Sequence, residues 1–371
     1  MTRLIYASTR QADMRYAIGM DFVDAFFYLE TESEKLIFLD QREIGVFAEK
    51  NENQDLKGVL NAELARQASE KKLKTSNENG LALQIIKTYC AENEAVCVPE
   101  YFPLGMADFL RSQGVKIQTQ NSFFPNREIK NEKEVSYIRE NIAKTTKAFR
   151  RIEEILRASS IKDDHLIFED QRLTSEFVKK ECDRILLEED MFNDMNIIIS
   201  SGPHTAHPHH HGEGCLQPHV PIICDIFPRS RKNGYFADMT RTYVKGKPSE
   251  MFEEMYEAVL AAQQEAFKNI KAGVKAKDVH TAVSQIFTQR GFHIGDVGFV
   301  HGTGHGLGLE VHEQPFINAT SESVLQAGNI VTVEPGLYYP DHGGIRIEDV
   351  VLVTKDGCEN LTNYPKEFLI R

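Results

Sequence analysis

Four strand-like segments of this chain each place an acidic residue among apolar side chains, and this feature constrains the fold more than any other. The segments read "ICDIF", "FADMT", "TVEPG" and "RIEDV", and their acids are Asp225, Asp238, Glu334 and Glu348. A carboxylate buried without a partner is strongly unfavourable or becomes protonated. One such acid is commonly a surface or edge residue, but four together predict a fold in which the acids converge.

Converging acids need positive charge beside them. Two like charges about 4 Å apart repel by about 4 kcal/mol even at an effective dielectric constant of about 20. Basic residues are scarce near these acids in the sequence, and the nearest are Arg241 and Arg346. Two divalent cations would balance four carboxylates, and carboxylate-rich sites favour manganese, cobalt or zinc over copper. The acids therefore predict a site for two metal ions.

The glycine-rich segment "HGTGHGLGLEVHE" offers a nitrogen ligand for such a site, because imidazole is a common ligand of transition metals. Its candidates are His301, His305 and His312. Glycines flank His305 and let the backbone approach closely, which suits a ligand deep in a cleft. The alternative is a glycine-rich turn with histidines facing solvent, which explains the glycines but not three histidines in twelve residues.

The chain is long enough for two domains, because 371 residues exceed the size at which one hydrophobic core stops growing. In residues 1–125, "AFFYLE", "KLIFLD", "AVCVPE" and "GVKIQT" are predicted strands that alternate with helical stretches, which indicates an α/β domain with a largely parallel sheet. The charged stretch 48–80 is predicted to be helical and to face solvent. The polar segment "NSFFPNREIKNEKE" is the predicted linker, so the predicted domains are 1–125 and 126–371.

The second predicted domain mixes helices and strands. Apolar residues from Val135 to Leu156 recur at helical spacing and predict a long amphipathic helix, and further helices are predicted in "LTSEFVKKECDRILLEE" and from Phe252 to Ile270. Residues rich in β-branched side chains predict strands in "NIIISS", "VPIICDIFP", "GYFADMTRTYV", "NIVTVEPGLYY" and "GGIRIEDVVLVT".

Charge and composition narrow the function further. The formal net charge of −12 argues against binding to nucleic acid or to an anionic membrane, because both attract positive surfaces. The chain shows neither a secretory signal at its start nor an apolar run long enough to span a membrane. Its six cysteines form no CxxC pair, so reduced thiols are expected. These features predict a cytoplasmic protein.

The acids and the histidine occur in an order that resembles the M24-type "pita-bread" metallopeptidases, which include aminopeptidase P, prolidase and methionine aminopeptidase. The order is Asp, Asp, His, Glu, Glu, and the last four lie in "DMTRT", "GHGLGLEVHE", "VEPGLYY" and "GGIRIED". This resemblance runs from about residue 130 to the end. Before it, "ADMRYAIGMDFVDAFFYLE" and "CVPEYFP" resemble the N-terminal domain of the creatinase, aminopeptidase P and prolidase branch. The implied fold is a creatinase-like α/β domain followed by a pita-bread α+β catalytic domain.

The resemblance implies hydrolysis of Xaa-Pro peptide bonds, by an Xaa-Pro aminopeptidase or an Xaa-Pro dipeptidase. Two metal ions, most simply Mn²⁺ and otherwise Co²⁺ or Zn²⁺, would hold a bridging hydroxide as the nucleophile. Asp238 and Glu348 would bridge the ions, and the full set of implied ligands is Asp225, Asp238, His305, Glu334 and Glu348.

The resemblance also implies roles for residues around the metal ions. Glu334 would relay a proton to the leaving nitrogen, and His209 and His312 would donate hydrogen bonds to the developing oxyanion. His301 would line the substrate pocket. Two further expectations concern neighbours of the ligands in the sequence: the Thr240 hydroxyl would orient Asp238, and Arg346, beside Glu348, would be either a structural counter-ion or a binder of the substrate carboxylate.

The histidine-rich stretch "HTAHPHHHGEG" holds five of the chain's thirteen histidines in eight positions. Aligned with the family, His209 takes the place of a histidine that contacts substrate rather than metal. His210 is the alternative, because the interval to Asp225 differs by one from the usual. The remaining histidines of this stretch are predicted to be solvated loop residues.

One departure from the family pattern lies between the two aspartates. The family usually separates them by eleven positions with a glycine soon after the first, whereas Asp225 and Asp238 are thirteen apart and Phe227 follows the first. We expect the two extra residues to lengthen the turn around "PRSRKNG". Because side chains alternate between the two faces of a strand, an insertion of two residues leaves both acids facing the same way. Phe227 would then share the face of Asp225 unless a bulge intervenes.

Several alternatives remain open at this stage. Methionine aminopeptidase-like activity is disfavoured by the N-terminal domain, and creatinase chemistry is disfavoured by the full ligand set. A catalytically inactive binding protein on the same fold would differ by lacking metal. The expected partner is a proline-containing peptide, members of the branch are often homodimers, and the sequence does not distinguish a dipeptidase from an aminopeptidase.

Overall fold

The computed structural model of this protein describes residues 2–70 and 77–371. It separates into two units, Met1–Pro125 and Asn126–Arg371. Within the described residues, no helix combines the length and the apolar character that crossing a membrane requires.

The N-terminal unit is built on a sheet with the strand order β4-β3-β2-β1-β5-β6. Its strands are β1 (Thr2–Ala7), β2 (Phe26–Glu30), β3 (Lys35–Leu39), β4 (Leu56–Leu60), β5 (Ala95–Pro99) and β6 (Lys116–Gln120). Its helices are α1 (Ala12–Ile18), α2 (Ile44–Lys50), α3 (Asn61–Glu70), α4 (Glu78–Tyr89) and α5 (Leu104–Ser112). Successive strand residues point to opposite faces, so Phe38 joins one apolar cluster with α4 and α5, and Ile37 joins another with α1.

Five of the six strands of this sheet run in one direction and β2 is reversed, so the prediction of a largely parallel sheet is confirmed. β1 pairs with β2, and β2 with β3, in antiparallel orientation, whereas the other pairs are parallel. The turn between β2 and β3 is closed by a hydrogen bond from Thr31 N–H to Glu34 C=O at 2.9 Å, and a connection this short joins only antiparallel strands.

The stretch 48–80 was predicted to be a solvent-facing helix, and its structure is different. Residues Leu56–Leu60 form the edge strand β4, parallel to β3, and Leu56 is buried against the sheet. Helices α3 and α4 begin within the stretch, and residues 71–76 lie outside the described part of the chain.

In the C-terminal unit the three predicted helices are confirmed as α6 (Glu132–Ala158), α7 (Ser175–Glu188) and α8 (Glu250–Asn269). Asn131 and Glu134 form a capping box at the start of α6, inside the predicted linker. A further helix, α9 (Ala276–Gln289), was not predicted. Helices α8 and α9 form one apolar cluster with the sheet beneath them, in which Val259 and Val283 lie with Val331 and Val351.

The strands of this unit are short and numerous. They are β7 (Ser160–Lys162), β8 (His165–Phe168), β9 (Gln171–Arg172), β10 (Met191–Phe192), β11 (Ile198–Ser201), β12 (Ile222–Ile226), β13 (Arg229–Ser230), β14 (Met239–Lys245), β15 (Gly304–Gly306), β16 (Glu313–Ile317), β17 (Ile330–Val333), β18 (Gly336–Tyr339), β19 (Gly343–Arg346), β20 (Asp349–Val353), β21 (Cys358–Asn360) and β22 (Leu369–Ile370).

The five predicted metal ligands lie in, or directly beside, strands of two sheets. One has the order β11-β12-β14-β22 and the other β16-β15-β17-β20-β21. An isolated antiparallel bridge between Thr240 and Glu348 joins them, with Glu348 N–H donating to Thr240 C=O at 3.0 Å. The bridge brings the acids of both sheets to one place.

Candidate active site

The sequence suggests that all four acids lie within strands, but the structure places only one of them there. Asp225 lies inside β12, whereas Asp238 directly precedes β14, Glu334 directly follows β17, and Glu348 lies between β19 and β20. Each of the last three lies where the ladder is interrupted. The Glu334 N–H donates instead to Thr303 C=O at 2.8 Å, so the irregular backbone there remains hydrogen-bonded.

The structure brings the five predicted ligands to one cavity of about 380 Å³. Asp238, His305 and Glu348 each offer a ligand atom, and these atoms lie within 4.8 Å of one another. His305 Nε2 also lies 3.3 Å from Glu334 Oε1 and 3.8 Å from Asp238 Oδ2. Asp225 is opposite Thr240 in the β12–β14 ladder, and its side chain lines the same cavity.

Burial and mutual repulsion dominate the protonation of the acids. Burial, together with the charges of neighbouring carboxylates, raises the pKa of Asp238 and of Glu348 well above the ordinary values. Burial acts in the same direction on Glu334, but the hydrogen bond and the charge of His305 outweigh it and lower the pKa of Glu334 to about 2. Without metal, His305 and Glu334 therefore form an ion pair, while Asp238 and Glu348 tend to keep protons.

The site has the donor atoms that divalent cations require. Burial raises the pKa of Asp225 despite the nearby charge of Arg346, whose Nη2 donates to Asp225 Oδ2 at 2.6 Å. Asp225 Oδ1 is buried and has no hydrogen-bond partner among residues 2–70 and 77–371. A buried oxygen without a partner is destabilising, and a cation would satisfy it. Four carboxylates and one imidazole thus fit hard or borderline divalent ions.

Arg346 and Thr240 have partners other than their sequence neighbours. Arg346 is only 3% exposed, and its guanidinium donates to the Tyr338 hydroxyl at 2.7 Å as well as to Asp225. It is therefore the counter-ion of Asp225. The Thr240 hydroxyl donates to Glu348 Oε2 at 2.9 Å, so the expectation that it orients Asp238 is wrong. The backbone bridge between Thr240 and Glu348 places this hydroxyl beside Glu348 instead.

The three histidines expected around the ligands also line the cavity: His209, His301 and His312. The His312 ring packs edge-to-face on His305 at 4.3 Å between centroids. Burial lowers the pKa of both His301 and His312, so both imidazoles are neutral near pH 7. His301 Nε2 lies 3.0 Å from the Tyr338 hydroxyl, which extends the contacts from Asp225 through Arg346 to this histidine.

The rest of the histidine-rich stretch divides between the cavity and the surface. His210 is not among the cavity residues, and its ring stacks on His204 with 4.0 Å between centroids and 13° between planes. Ligand atoms of these two rings and of Glu213 lie within 4.8 Å of one another. A metal lies near the plane of each imidazole that binds it, so two nearly parallel rings cannot bind one ion without turning. His211 is an exposed loop residue, as predicted, and it also lines the cavity.

Two residues at the site carry weaker sequence signals. Tyr338 links Arg346 to His301 and lies in "VEPGLYY", the motif that contains Glu334. Phe227 does share the cavity with Asp225. The longer interval between the aspartates is absorbed by a hairpin, in which Arg229 bridges Phe236 and Ser230 N–H donates to Tyr235 C=O at 3.0 Å.

Comparison with known proteins agrees with this geometry. A model of metallopeptidase family M24 matches residues 136–355. The Xaa-Pro dipeptidase of Pyrococcus furiosus is 40% identical over 173 residues, which is 46% of this chain and 48% of that protein. The chain thus spans about half the length of the curated relatives it matches.

Solved structures match over nearly the whole chain. The Xaa-Pro dipeptidase from Bacillus anthracis superposes with a TM-score of 0.81 at 25% identity, covering 100% of this chain and 95% of that one. The X-Pro aminopeptidase from Thermotoga maritima has the same fold, with a TM-score of 0.80 at 24% identity and coverage of 100% and 98%. The predicted two-domain, pita-bread fold and the resemblance are confirmed: this chain belongs to metallopeptidase family M24.

Proposed function

We propose that this protein is a dinuclear-metal peptidase that hydrolyses Xaa-Pro peptide bonds. The observation that carries the proposal is the cluster of four carboxylates and His305 in the M24 domain, in which Asp225 Oδ1 has no hydrogen-bond partner among the residues that the structure describes. Relatives over this region include Xaa-Pro dipeptidases. Mn²⁺ is the favoured ion, with Co²⁺ or Zn²⁺ as alternatives, because carboxylates dominate the donor set.

The residues that would hold the two ions are Asp225, Asp238, His305, Glu334 and Glu348. When bound, such ions lower the pKa of water toward neutrality and polarise a carbonyl group. His305 must lose its proton to serve as a ligand, because only the neutral imidazole has a free lone pair. The Arg346 guanidinium and the Thr240 hydroxyl then hold Asp225 and Glu348 in place.

Other residues of the cavity can handle protons and developing charge. Glu334, partly open to the cavity, is assigned the transfer of a proton to the leaving nitrogen. His312 and His209 are assigned the donation of hydrogen bonds to the carbonyl oxygen as it gains negative charge. The lowered pKa of His312 keeps it a neutral donor. His301 borders the substrate and is held by the Tyr338 hydroxyl.

The cavity also suits a substrate whose scissile nitrogen carries no hydrogen. A prolyl bond offers the enzyme a ring to recognise in place of an N–H group. Apolar side chains from separate elements line the cavity beside the acids, including Ile198, Val311 and Phe316. An apolar wall with a few convergent polar groups is the usual composition of a site for a small ligand.

The test is a hydrolysis assay on protein that has been stripped of metal and reloaded with Mn²⁺. We expect cleavage of Ala-Pro, loss of activity with chelator and recovery with Mn²⁺ or Co²⁺. Met-Ala peptides should be poor substrates, and comparison of Ala-Pro with Ala-Pro-Ala distinguishes a dipeptidase from an aminopeptidase.

A pair of variants tests whether the carboxylate cluster holds the metal that activity requires. Glu348→Gln should lose both bound metal and activity, whereas Glu257→Gln, at an exposed position on α8, should retain both. Two equivalents of bound metal without hydrolysis of any Xaa-Pro peptide would contradict the proposal and favour a binding protein.

A further inference from the structure

Phe227 occupies a position in the cavity wall that is fixed by the strand register. Residues two apart on an extended strand point to the same side, so Phe227 follows Asp225 on the cavity face. Ile226 is opposite Met239, and continuing this register places Phe227 opposite Asp238. Continuing the pairing of Ile198 with Asp225 places it opposite Asn196. Phe227, Asn196 and both aspartates all line the cavity.

The backbone holds Phe227 on both sides. Ile226 is fully buried in the last position of β12. The carbonyl of Pro228 accepts a hydrogen bond from Ala237 N–H at 2.9 Å, where the hairpin after Phe227 returns toward Asp238. The ring therefore remains in the wall beside the aspartates, and directly opposed strand residues have Cβ atoms about 4.5–5.5 Å apart. A glycine at this position would leave that space open.

The position of the scissile bond indicates which part of a peptide meets this wall. Asp225 and Asp238 flank Phe227 in the cavity and are among the ligands proposed for the metal ions. The scissile carbonyl has to reach those ions to be polarised by them. The side chain of the first residue branches from the carbon next to that carbonyl, so it lies close to the same wall.

We infer that Phe227 is a specificity-determining residue that limits the first residue of the substrate to a small side chain. This inference rests on the proposed Xaa-Pro peptidase function. A large Xaa side chain has to compete with the phenyl ring for the space beside the acids. Glycine and alanine at the first position avoid that conflict, so Gly-Pro and Ala-Pro are the favoured substrates, and Leu-Pro and Phe-Pro are disfavoured.

The test compares kcat/KM for Gly-Pro, Ala-Pro, Leu-Pro and Phe-Pro in the Mn²⁺-loaded full chain. Phe227→Ala should raise the ratio of Phe-Pro to Gly-Pro by about tenfold or more, which is within the discrimination that apolar pockets achieve for small differences in volume. Phe227→Leu, which retains an apolar side chain of intermediate size, should give an intermediate ratio. Phe316→Ala is the matched control, because it removes another ring of the same cavity from a different strand, and it should leave the ratio unchanged.

Bound metal is measured in every variant and should remain at two equivalents. An unchanged Phe-Pro to Gly-Pro ratio in metal-replete Phe227→Ala would overturn the inference and leave the proposed function intact. A shift of equal size in Phe316→Ala would also overturn it, because the ring at Phe227 would then have no specific part. Wild-type protein that cleaves no Xaa-Pro peptide would overturn both proposals.

Discussion

Removing metal should make the stability of the protein depend on pH in a way that His305 controls. Burial alone lowers the pKa of this imidazole, but the hydrogen bond and charge of Glu334 and the charge of Asp238 raise it to about 9, against 6.5 for a free histidine. The native state then holds the proton more tightly than the unfolded chain does. The resulting stabilisation is complete below pH 6.5 and is lost as the pH rises toward 9.

The size of the effect follows from the difference between the two pKa values. At 1.36 kcal/mol per unit, a rise from 6.5 to about 9 corresponds to about 3 kcal/mol. For a unit of this size that is roughly 10 °C in melting temperature. The raised pKa values of Asp238 and Glu348 act in the same direction. The native state holds protons on these carboxyl groups that the unfolded chain has already lost, so rising pH also lowers the stability that they contribute.

The assay is urea unfolding of chelator-treated protein between pH 6.5 and pH 9, with His305→Gln as the reference. The variant keeps a polar side chain but has no group that titrates, so the free energy of unfolding should fall more steeply with pH in the wild type than in the variant. Mn²⁺ should reverse the trend in the wild type, because metal binding requires the neutral imidazole. Identical pH dependence in wild type and His305→Gln without metal would refute the reasoning.

Three further substitutions test the surroundings of the site. Thr240→Val removes the hydroxyl that donates to Glu348 and should weaken Mn²⁺ binding by about 10- to 100-fold in a metal titration. Arg241→Met leaves the fully buried Asp349 without its guanidinium partner at 2.9 Å and should lower the free energy of unfolding by about 3–5 kcal/mol in urea. Gly304→Ala would place a Cβ 1.9 Å from a carbonyl oxygen of β17, so it should shift the adjacent ligand and reduce bound metal.

Each of these has a matched control at a site without the same constraint. Thr281→Val removes an exposed hydroxyl on α9 and should leave Mn²⁺ affinity unchanged. Arg139→Met breaks an exposed ion pair with Glu359 and should change stability by less than about 1 kcal/mol. Gly105→Ala, with nothing within 4 Å of the added Cβ, should retain full metal content. If a control variant changed metal binding or stability as much as the variant it is paired with, burial and close approach would not be the cause of the change.

The helices that carry a strong apolar period were predictable, and those with weak or interrupted periods were not. Ile138, Ile142 and Phe149 face the core at helical spacing along α6. β4 escaped prediction because "LKGVL" carries a lysine and a glycine and acquires its strand identity from pairing with β3. The reversed direction of β2 in the otherwise parallel N-terminal sheet is likewise a property of pairing, and local pattern contains little information about it.

The ligands were predictable as a set, whereas their partners were not. Apolar residues around an acid show that a segment is buried, but the point at which a ladder ends depends on the neighbouring strand. Asp238, Glu334 and Glu348 therefore looked like mid-strand residues and lie in interruptions. Arg346 lies two residues before Glu348 in the sequence, yet it pairs with Asp225 on a strand of a different sheet. Such partners become visible only when distant strands are in register.

Glu348 and Asp349 are consecutive buried acids that differ in their partners. Asp349 is fully buried and receives both the Arg241 guanidinium and the Lys366 ammonium. Glu348, only 2% exposed, receives the Thr240 hydroxyl, and no lysine or arginine of residues 2–70 and 77–371 forms an ion pair with it. Burial penalises both carboxylates, but the chain supplies cations to only one of them. The fold thus gives basic partners to the acid that faces the core and none, among the described residues, to the acid that faces the cavity, and this difference supports the proposed binding of cations at Glu348.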